Sequence, residues 1–410
     1  MKPTVLVATT SQWYPTARLA MALAKAGFVV KAVCPSRHPM FATKAVQERF
    51  SYHGLLPVWS FANAIARAKP DIVIPGDDLA TQHLHRLHAQ ESAKGSRGAS
   101  ICSVIERSLG SPESFASAYS RTAFMRIAKE ENVRVPQTEA IEKIQDLRDW
   151  IARVGLPTVI KANGTSGGEG VKIIRTMEFE SAFAALQAPP VIARAAKRTL
   201  FDQDAALLRR ALLRERSILS VQSFITGNEA TSAVACWNGR VLASLYFEVI
   251  NKRYAAGPST VVRLIENNEM ISATEKMVRR LNLSGLYGFD FMLEAGTRHA
   301  YLIEMNPRST QVGHLALGPG RDIPAALYAA VSGEPTQPTA AVTDKDTIAL
   351  FPQEWIRDSS SPYLRSAYHD VPWEEPELIR ACIRARKKQQ AWRVNKSSVR
   401  ALNAVGVPRT

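Results

Sequence analysis

The sequence predicts a mixed α/β and α+β chain, with a parallel βαβ unit at the N-terminus followed by antiparallel sheets and helices. Three observations predict it. Over residues 1–115, short apolar runs alternate with amphipathic helical patterns, which is the signature of a parallel sheet with right-handed crossovers. Later in the chain, strand-like runs follow one another directly and are joined at Asn238-Gly239, a strong hairpin-turn pair. Between these regions lies a glycine-rich stretch, "NGTSGGEG" (163–170), flanked by two strand-like runs.

The elements follow in order. "TVLVAT" (4–9) is a short buried-strand run, "PTARLAMALAKAG" (15–27) an amphipathic helix stopped by Gly27, and "FVVKAVC" (28–34) the next strand. "SFANAIARAKP" (60–70) is a helix and "DIVIPG" (71–76) a strand. Ligands of such sheets sit at the carboxyl ends of the strands, so Asp77 and Asp78, directly after "DIVIPG", are either substrate-pocket residues or a helix N-cap with a first-turn acid. The loop after the first strand lacks G-x-G-x-x-G, so a dinucleotide site there is weakly supported. A second region, 116–190, holds helices at 116–132, 144–155 and 178–188, around the strands "PTVIKA" (157–162) and "VKIIRT" (171–176). A third, 191–335, holds the strand-like runs 218–225, 229–239 and 240–250, a helix at 268–283, and the strands "GFDFML" (288–293) and "AYLIEMN" (300–306). Residues 336–410 are Pro-rich and then basic, and are expected to be an appendage.

The bulk numbers exclude several classes. Of 410 residues, 46% are hydrophobic and 22% charged, ordinary for a globular protein of two or three domains. No run reaches the ~18–20 apolar residues of a membrane span. The N-terminus lacks the apolar core of a signal peptide, so the cytoplasm is the expected compartment. Cys34, Cys102, Cys236 and Cys382 form no C-x-x-C pair and read as free thiols. The net charge is +15, and eight Lys or Arg without an acid fall between Ile379 and Arg400. A nucleic-acid-binding tail is the weaker reading of this run, since no nucleic-acid motif accompanies it; a solvated basic face is the stronger.

The chemistry concentrates late in the chain. Strand alternation puts Asp290 and Met292 on one face of "GFDFML" and Phe289, Phe291 and Leu293 on the other. In "YLIEMN" it puts Leu302, Glu304 and Asn306 together, opposite Tyr301, Ile303 and Met305. A hairpin between these strands makes Asp290, Glu304 and Asn306 converge. Two carboxylates and an amide oxygen form a hard-oxygen set suited to Mg²⁺, whereas a solvated hairpin end is the bland alternative. The glycine-rich stretch lets backbone N–H groups approach phosphate oxygens, but it is not a P-loop. Lys161, in the otherwise apolar "TVIKA", is costly to bury without an anionic partner. "HLHRLH" (83–88) reads as a solvated helix face rather than a metal site, and Trp355 as packing.

Together these motifs resemble the ATP-grasp superfamily over about 115–330, and within it the carbamoyl-phosphate-synthase-like ligases. "VIKA-NGTSGGEGV" resembles its phosphate-binding Lys strand and glycine loop, "VQSFITGNE" its adenine linker and ribose acid, and "GFDFML…YLIEMNPRSTQ" its metal-binding strands. The resemblance implies a Rossmann-like pre-ATP-grasp domain (1–115), a small lobe (116–190), a large lobe (191–335) and the C-terminal basic appendage. By position, Lys161 and Arg121 would contact ATP phosphates, and Ser166, Gly167 and Gly168 would cover them. Gln222 and Ile225 would flank adenine and Glu229 would hold the ribose, although Gln222 stands where Glu is usual. Asp290, Glu304 and Asn306 would bind Mg²⁺, with Mn²⁺ as an alternative. Arg308 would stabilise the γ-phosphate and an acyl phosphate, and Lys252 and Arg253 lie in a loop able to close over substrate. Gly313, where biotin-dependent carboxylases carry an acid, argues against that branch; His314 lines the pocket or the core.

The implied activity is an ADP-forming carboxylate–amine ligase acting on small molecules, with a homodimer among the assemblies the resemblance allows. The rivals are a non-catalytic ATP-binding regulatory module and a basic nucleic-acid-binding protein.

Overall fold

The computed structural model describes residues 2–118, 120–162, 170–188, 218–255, 257–335 and 340–384. Ser166, Gly167 and Gly168 of the glycine-rich stretch, and most of the basic tail, lie outside the described residues.

The N-terminal sheet is wholly parallel. Its strands β1 (Thr4–Ala8), β2 (Val29–Cys34), β3 (Glu48–Ser51) and β4 (Ile72–Pro75) are ordered β3-β2-β1-β4. Helices α1 (Tyr14–Ala26) and α2 (Pro57–Ala68) make the crossovers, and α3 (Asp78–Ser92) and α4 (Ala99–Leu109) follow β4. Central β1 is apolar on both faces because both are covered, and Val5, Leu6 and Val7 are fully buried. Helix α1 ends at Gly27, whose φ of 120° suits glycine.

A second, antiparallel sheet is ordered β5-β8-β6-β7: β5 (Thr138–Ile141), β6 (Thr158–Ala162), β7 (Val171–Ile174) and β8 (Leu219–Ser223). Helices α5 (Arg121–Glu130), α6 (Ile144–Val154) and α7 (Glu180–Gln187) accompany it. This sheet is not closed at residue 190, because β8 enters between β5 and β6.

The third sheet has seven strands, β13-β12-β9-β10-β11-β14-β15. They are β9 (Gly227–Trp237), β10 (Arg240–Lys252), β11 (Ser259–Leu264), β12 (Gly285–Glu294), β13 (Ala300–Asn306), β14 (Thr347–Ala349) and β15 (Tyr368–His369). Asn238 and Gly239, with φ of 48° and 74°, form the tight turn between β9 and β10. Helices α8 (Asn268–Arg280) and α9 (Ile323–Ser332) pack on it.

Two expectations change. The described part of the C-terminal segment is no loose appendage: β14 and β15 extend the seven-stranded sheet, and Leu350, Phe351 and Leu378 join the main apolar cluster. The histidines at 83–88 are not a solvated face. His83 and His88 are buried, His83 beside the Tyr52 hydroxyl (3.3 Å) and His88 on Glu106 (2.7 Å), while the His85 ring stacks on Phe115.

The N-terminal and seven-stranded sheets share a core. Val5, Val7, Leu19 and Leu23 belong to the same buried cluster as Leu245, Phe247, Leu315 and Leu327. A buried ion cluster pins the same junction. Asp370 accepts from Arg18 of α1 and from His314 Nε2 (2.6 Å), with Asp370 1% exposed. Burial alone raises the Asp370 pKa, but His314 and Arg18 outweigh it and hold the carboxyl below its ordinary range. Because the folded pKa lies below the unfolded one, the stabilisation is present above ~3.9 and is lost as pH falls through the folded pKa. Asp370→Ala leaves Arg18 buried and unpaired, and is expected to cost about 3–5 kcal/mol at pH 7 in denaturant unfolding. Asp370→Asn should flatten the acid limb of stability against pH; a cost near zero with an unchanged acid limb would remove the cluster's structural role.

Candidate active site

The β12–β13 hairpin sets the centre of the site. Asp290 stands directly opposite Glu304, and Gly288 opposite Asn306. Phe289, Phe291 and Leu293 turn to the other face, where they are buried with Met270 and Met277 of α8. Each fully buried Phe contributes ~2–3 kcal/mol, which fixes which face the acids occupy.

One detail departs from strict alternation. A register shift lies between the Asp290–Glu304 and Phe291–Leu302 pairs, with Ile303 as the extra residue. Leu302 therefore joins Met305 in the core instead of sharing a face with Glu304 and Asn306. The bulge lets Leu302 be buried while Glu304 still meets Asp290.

The acids are held apart by donors. Asp290 accepts from Thr231 Oγ1 of β9 (2.7 Å) and from Asn306 Nδ2 (2.9 Å). Desolvation first, and Glu304 second, push its pKa up to about 6. Glu304 pairs with Arg121 at the start of α5 (2.8 Å), whose other terminal nitrogen donates to the Ala162 carbonyl of β6 (2.9 Å). Arg121 Nε is buried with no hydrogen-bond partner among the described residues. Lys161 of β6 is 6% exposed, and desolvation lowers its pKa to about 8 against the pull of Glu304, Asp290 and Glu229.

Arg308, two residues past β13, is fixed on all three nitrogens. Nε donates to Asp78 (3.0 Å), one terminal nitrogen to Asn306 Oδ1 (3.2 Å) and the other to the Ser309 carbonyl (3.2 Å). Its guanidinium lies 5.3 Å over the Trp13 ring. The two acids after β4 thus separate in role. Asp77 is the N-cap of α3, accepting from Ala80 N (2.9 Å) and from Thr9, Thr10 and Ser11 of the β1–α1 loop. Asp78 faces the site.

The remaining predicted positions are spread over the small sheet, the β9–β10 pair and the core. Gln222 is buried in β8, and its amide donates to Thr138 Oγ1 (3.0 Å), so its side chain is committed within the small sheet. Ile225 lies in the short link between β8 and β9. Glu229, exposed on β9, pairs with Lys252 of β10 (2.6 Å), and Arg253 is exposed beside it. His314 turns away to Asp370 in the core. Thr231 and Trp13 are site residues that no sequence pattern marks: one is an ordinary strand Thr, the other a loop Trp. Asp290, Glu304 and the Asn306 oxygen form a set of hard-oxygen donors, and no third His, Cys or carboxylate joins them among the described residues. Lys161 and Arg121, with its uncommitted Nε, suit a polyanion beside it.

The same part of the chain is similar to known proteins. Residues 120–317 match the family model "Carbamoyl-phosphate synthase L chain, ATP binding domain". That segment is similar to an ATP-binding domain. The segment is 22% identical over 208 residues to the carbamoyl phosphate synthase large chain of Thermoanaerobacter pseudethanolicus, covering 48% of this chain and 17% of that one. It is 23% identical over 212 residues to the large chain of Methanosarcina barkeri, covering 51% and 18%. The chain thus spans under a fifth of the curated relatives it matches. Among solved structures, carboxyaminoimidazole ribonucleotide synthase of Aspergillus clavatus complexed with ATP has a TM-score of 0.56 at 13% identity, over 82% of this chain and 78% of that one. Biotin carboxylase of Campylobacter jejuni, as its β,γ-ATP complex, has a TM-score of 0.55 at 13% identity, over 81% and 71%. These are likenesses of fold, each over about four fifths of this chain.

Two outcomes test the site. Glu304→Gln removes one of the two causes raising Asp290, so the Asp290 carboxyl should titrate lower in a carbon-detected NMR titration; no movement would mean desolvation acts alone. A Cβ at Gly288 would meet Thr310 Cγ2 at 2.1 Å and the Ser232 carbonyl at 2.9 Å. Gly288→Ala should therefore cost about 1–3 kcal/mol in unfolding measurements.

Proposed function

We propose that this protein is an ADP-forming ligase that activates a small-molecule carboxylate as an acyl phosphate and couples it to an amine. One observation carries the reading. Two opposed carboxylates, a neighbouring amide oxygen and three cationic side chains from separate elements meet at one place. A protein that only stored ATP would need fewer of them.

Asp290, Glu304 and Asn306 would hold Mg²⁺, which supplies charge neutralisation for the phosphates when bound. Lys161 and Arg121 bind and orient the phosphate chain. The glycine-rich stretch, which lies outside the described residues, is proposed to cover it. Ile225 and the backbone of the β8–β9 link offer an edge to adenine, and Glu229 accepts from the ribose once Lys252 turns toward substrate. The substrate carboxylate attacks the γ-phosphorus and the bond to the ADP oxygen breaks. Arg308 stabilises the negative charge spread over the transferred group. The amine then attacks the acyl carbon, phosphate leaves, and the amine loses a proton to solvent. Positioning and charge do the work, so no side-chain nucleophile is required.

The cytoplasm and a homodimer are the proposed setting. Among the described residues no helix is long and apolar enough to cross a membrane.

Phosphate release from Mg–ATP, against a panel of amino acids, small acids and amines, tests the reading. We expect one pairing to stimulate release, and Glu304→Gln and Arg308→Ala each to reduce it by about 10²-fold or more. Tight ATP binding with no stimulated release by any pairing would favour the non-catalytic module instead.

A further inference from the structure

The segment that carries Arg308 is bonded to helix α3 and to the end of β4 at every step. The Pro307 carbonyl accepts from Thr81 Oγ1 of α3 (2.7 Å). Arg308 Nε donates to Asp78 (3.0 Å). Ser309 N donates to the Pro75 carbonyl at the end of β4 (3.3 Å). The guanidinium lies over the Trp13 ring of the β1–α1 loop. That loop is itself tied to the start of α3, because one carboxylate, Asp77, accepts from Thr9, Thr10, Ser11 and Ala80.

A free Arg side chain has several rotamers and must lose them when it binds an anion. Here that loss is met before any ligand arrives. Asp78 takes the Nε–H, Asn306 and Ser309 each take one N–H from the terminal nitrogens, and Trp13 covers one face. A guanidinium has five N–H donors, so two remain uncommitted by these three bonds and are aimed in a fixed direction. The Arg308 side chain is 15% exposed and that of Asp78 32%, so the pair is open to solvent on one side rather than sealed in the core.

We propose that Asp78 and Trp13 are positioning residues for Arg308: the N-terminal sheet preorganises the guanidinium that meets the transferred phosphoryl group. This inference rests on the functional reading above, in which Arg308 binds that group. Asp78 itself touches no reacting atom; it acts through Arg308. The opposite role, a carboxylate that masks Arg308 and competes with the anion, predicts the reverse sign.

The test is calorimetric titration of inorganic phosphate into protein saturated with Mg–ADP, for wild type, Asp78→Asn, Trp13→Leu, Arg308→Ala and the double variant Asp78→Asn/Arg308→Ala. We expect Arg308→Ala to weaken phosphate strongly, Asp78→Asn to weaken it about tenfold, and Trp13→Leu to weaken it a few-fold. The double variant should bind no more weakly than Arg308→Ala alone, since a residue acting through Arg308 has nothing left to act on. Asp78→Glu should recover part of the loss. With a turnover substrate in hand, Asp78→Asn should lower kcat and leave the KM for ATP unchanged, a split that general destabilisation does not produce.

If Arg308→Ala binds phosphate as wild type does, the reading of Arg308 as the anion-binding group fails, and this inference with it. If Arg308→Ala weakens binding but Asp78→Asn does not, or tightens it, only the positioning inference falls. Should Asp78→Asn fail to fold, Trp13→Leu decides: unchanged phosphate affinity overturns the proposal.

Discussion

Asp290 and Glu304 are set face to face by the pairing of β12 with β13, and most of what surrounds them answers the repulsion this creates. Their position is not free to relax. Phe289 and Phe291 on one strand, and Leu302 and Met305 on the other, are buried on the opposite side of the sheet. Sliding either strand by one residue would expose this apolar set, at a cost of several kcal/mol. The acids therefore stay opposed, and the protein meets the charge by other means. Thr231 and Asn306 donate to Asp290, Arg121 pairs with Glu304, and Lys161 stands close enough to feel both. This arrangement is suited to exchange, since a cation with its phosphates supplies the same compensation in another form.

The compensating groups come from distant parts of the chain. Arg121 begins α5, Lys161 is the last residue but one of the apolar β6, and Arg308 follows β13. The small antiparallel sheet brings Lys161, and the seven-stranded sheet brings the acids. The N-terminal sheet brings no group of either kind to the acids, yet Asp78 and Trp13, in the segments that follow its strands, grip Arg308. A composite site of this sort ties function to the packing between sheets. The shared cluster of Val5, Leu19, Phe247 and Leu327, and the buried Asp370 between Arg18 and His314, keep that packing in place.

Much of the fold was legible because the periodicities were strong. The alternation of "TVLVAT", "FVVKAVC" and "DIVIPG" with helices announced a parallel sheet, and Asn238-Gly239 announced a hairpin. Other elements left little trace. β3 is the four-residue "ERFS", too short and too polar for its period to be read. β8 is plain as a strand, but nothing local says that it enters the small sheet rather than the large one. The bulge at Ile303 was invisible, because one extra residue in an apolar run changes no pattern; only the competition between burying Leu302 and opposing Asp290 to Glu304 decides it. The histidines at 83–88 looked solvated because polar residues on a helix usually are. Here α2, α4 and the Tyr52 loop cover them.

By itself the sequence picked out the candidate residues: Asp290, Glu304, Asn306 and Arg308 lie within nineteen positions on and after two strand-like runs, but the bulge at Ile303 is what sets Glu304 opposite Asp290. It left Asp77 and Asp78, which directly follow a strand of a parallel sheet, as either pocket residues or a helix cap with a first-turn acid. Only the tertiary structure decided between them. Asp77 turns inward to cap α3 and gather the β1–α1 loop, and Asp78 turns outward to Arg308, 230 positions along the chain. Local propensity acts over a few residues and can be read from them. An ion pair between distant residues depends on how whole sheets pack, and that packing is set by the summed burial of side chains that carry no mark of the partner they will meet.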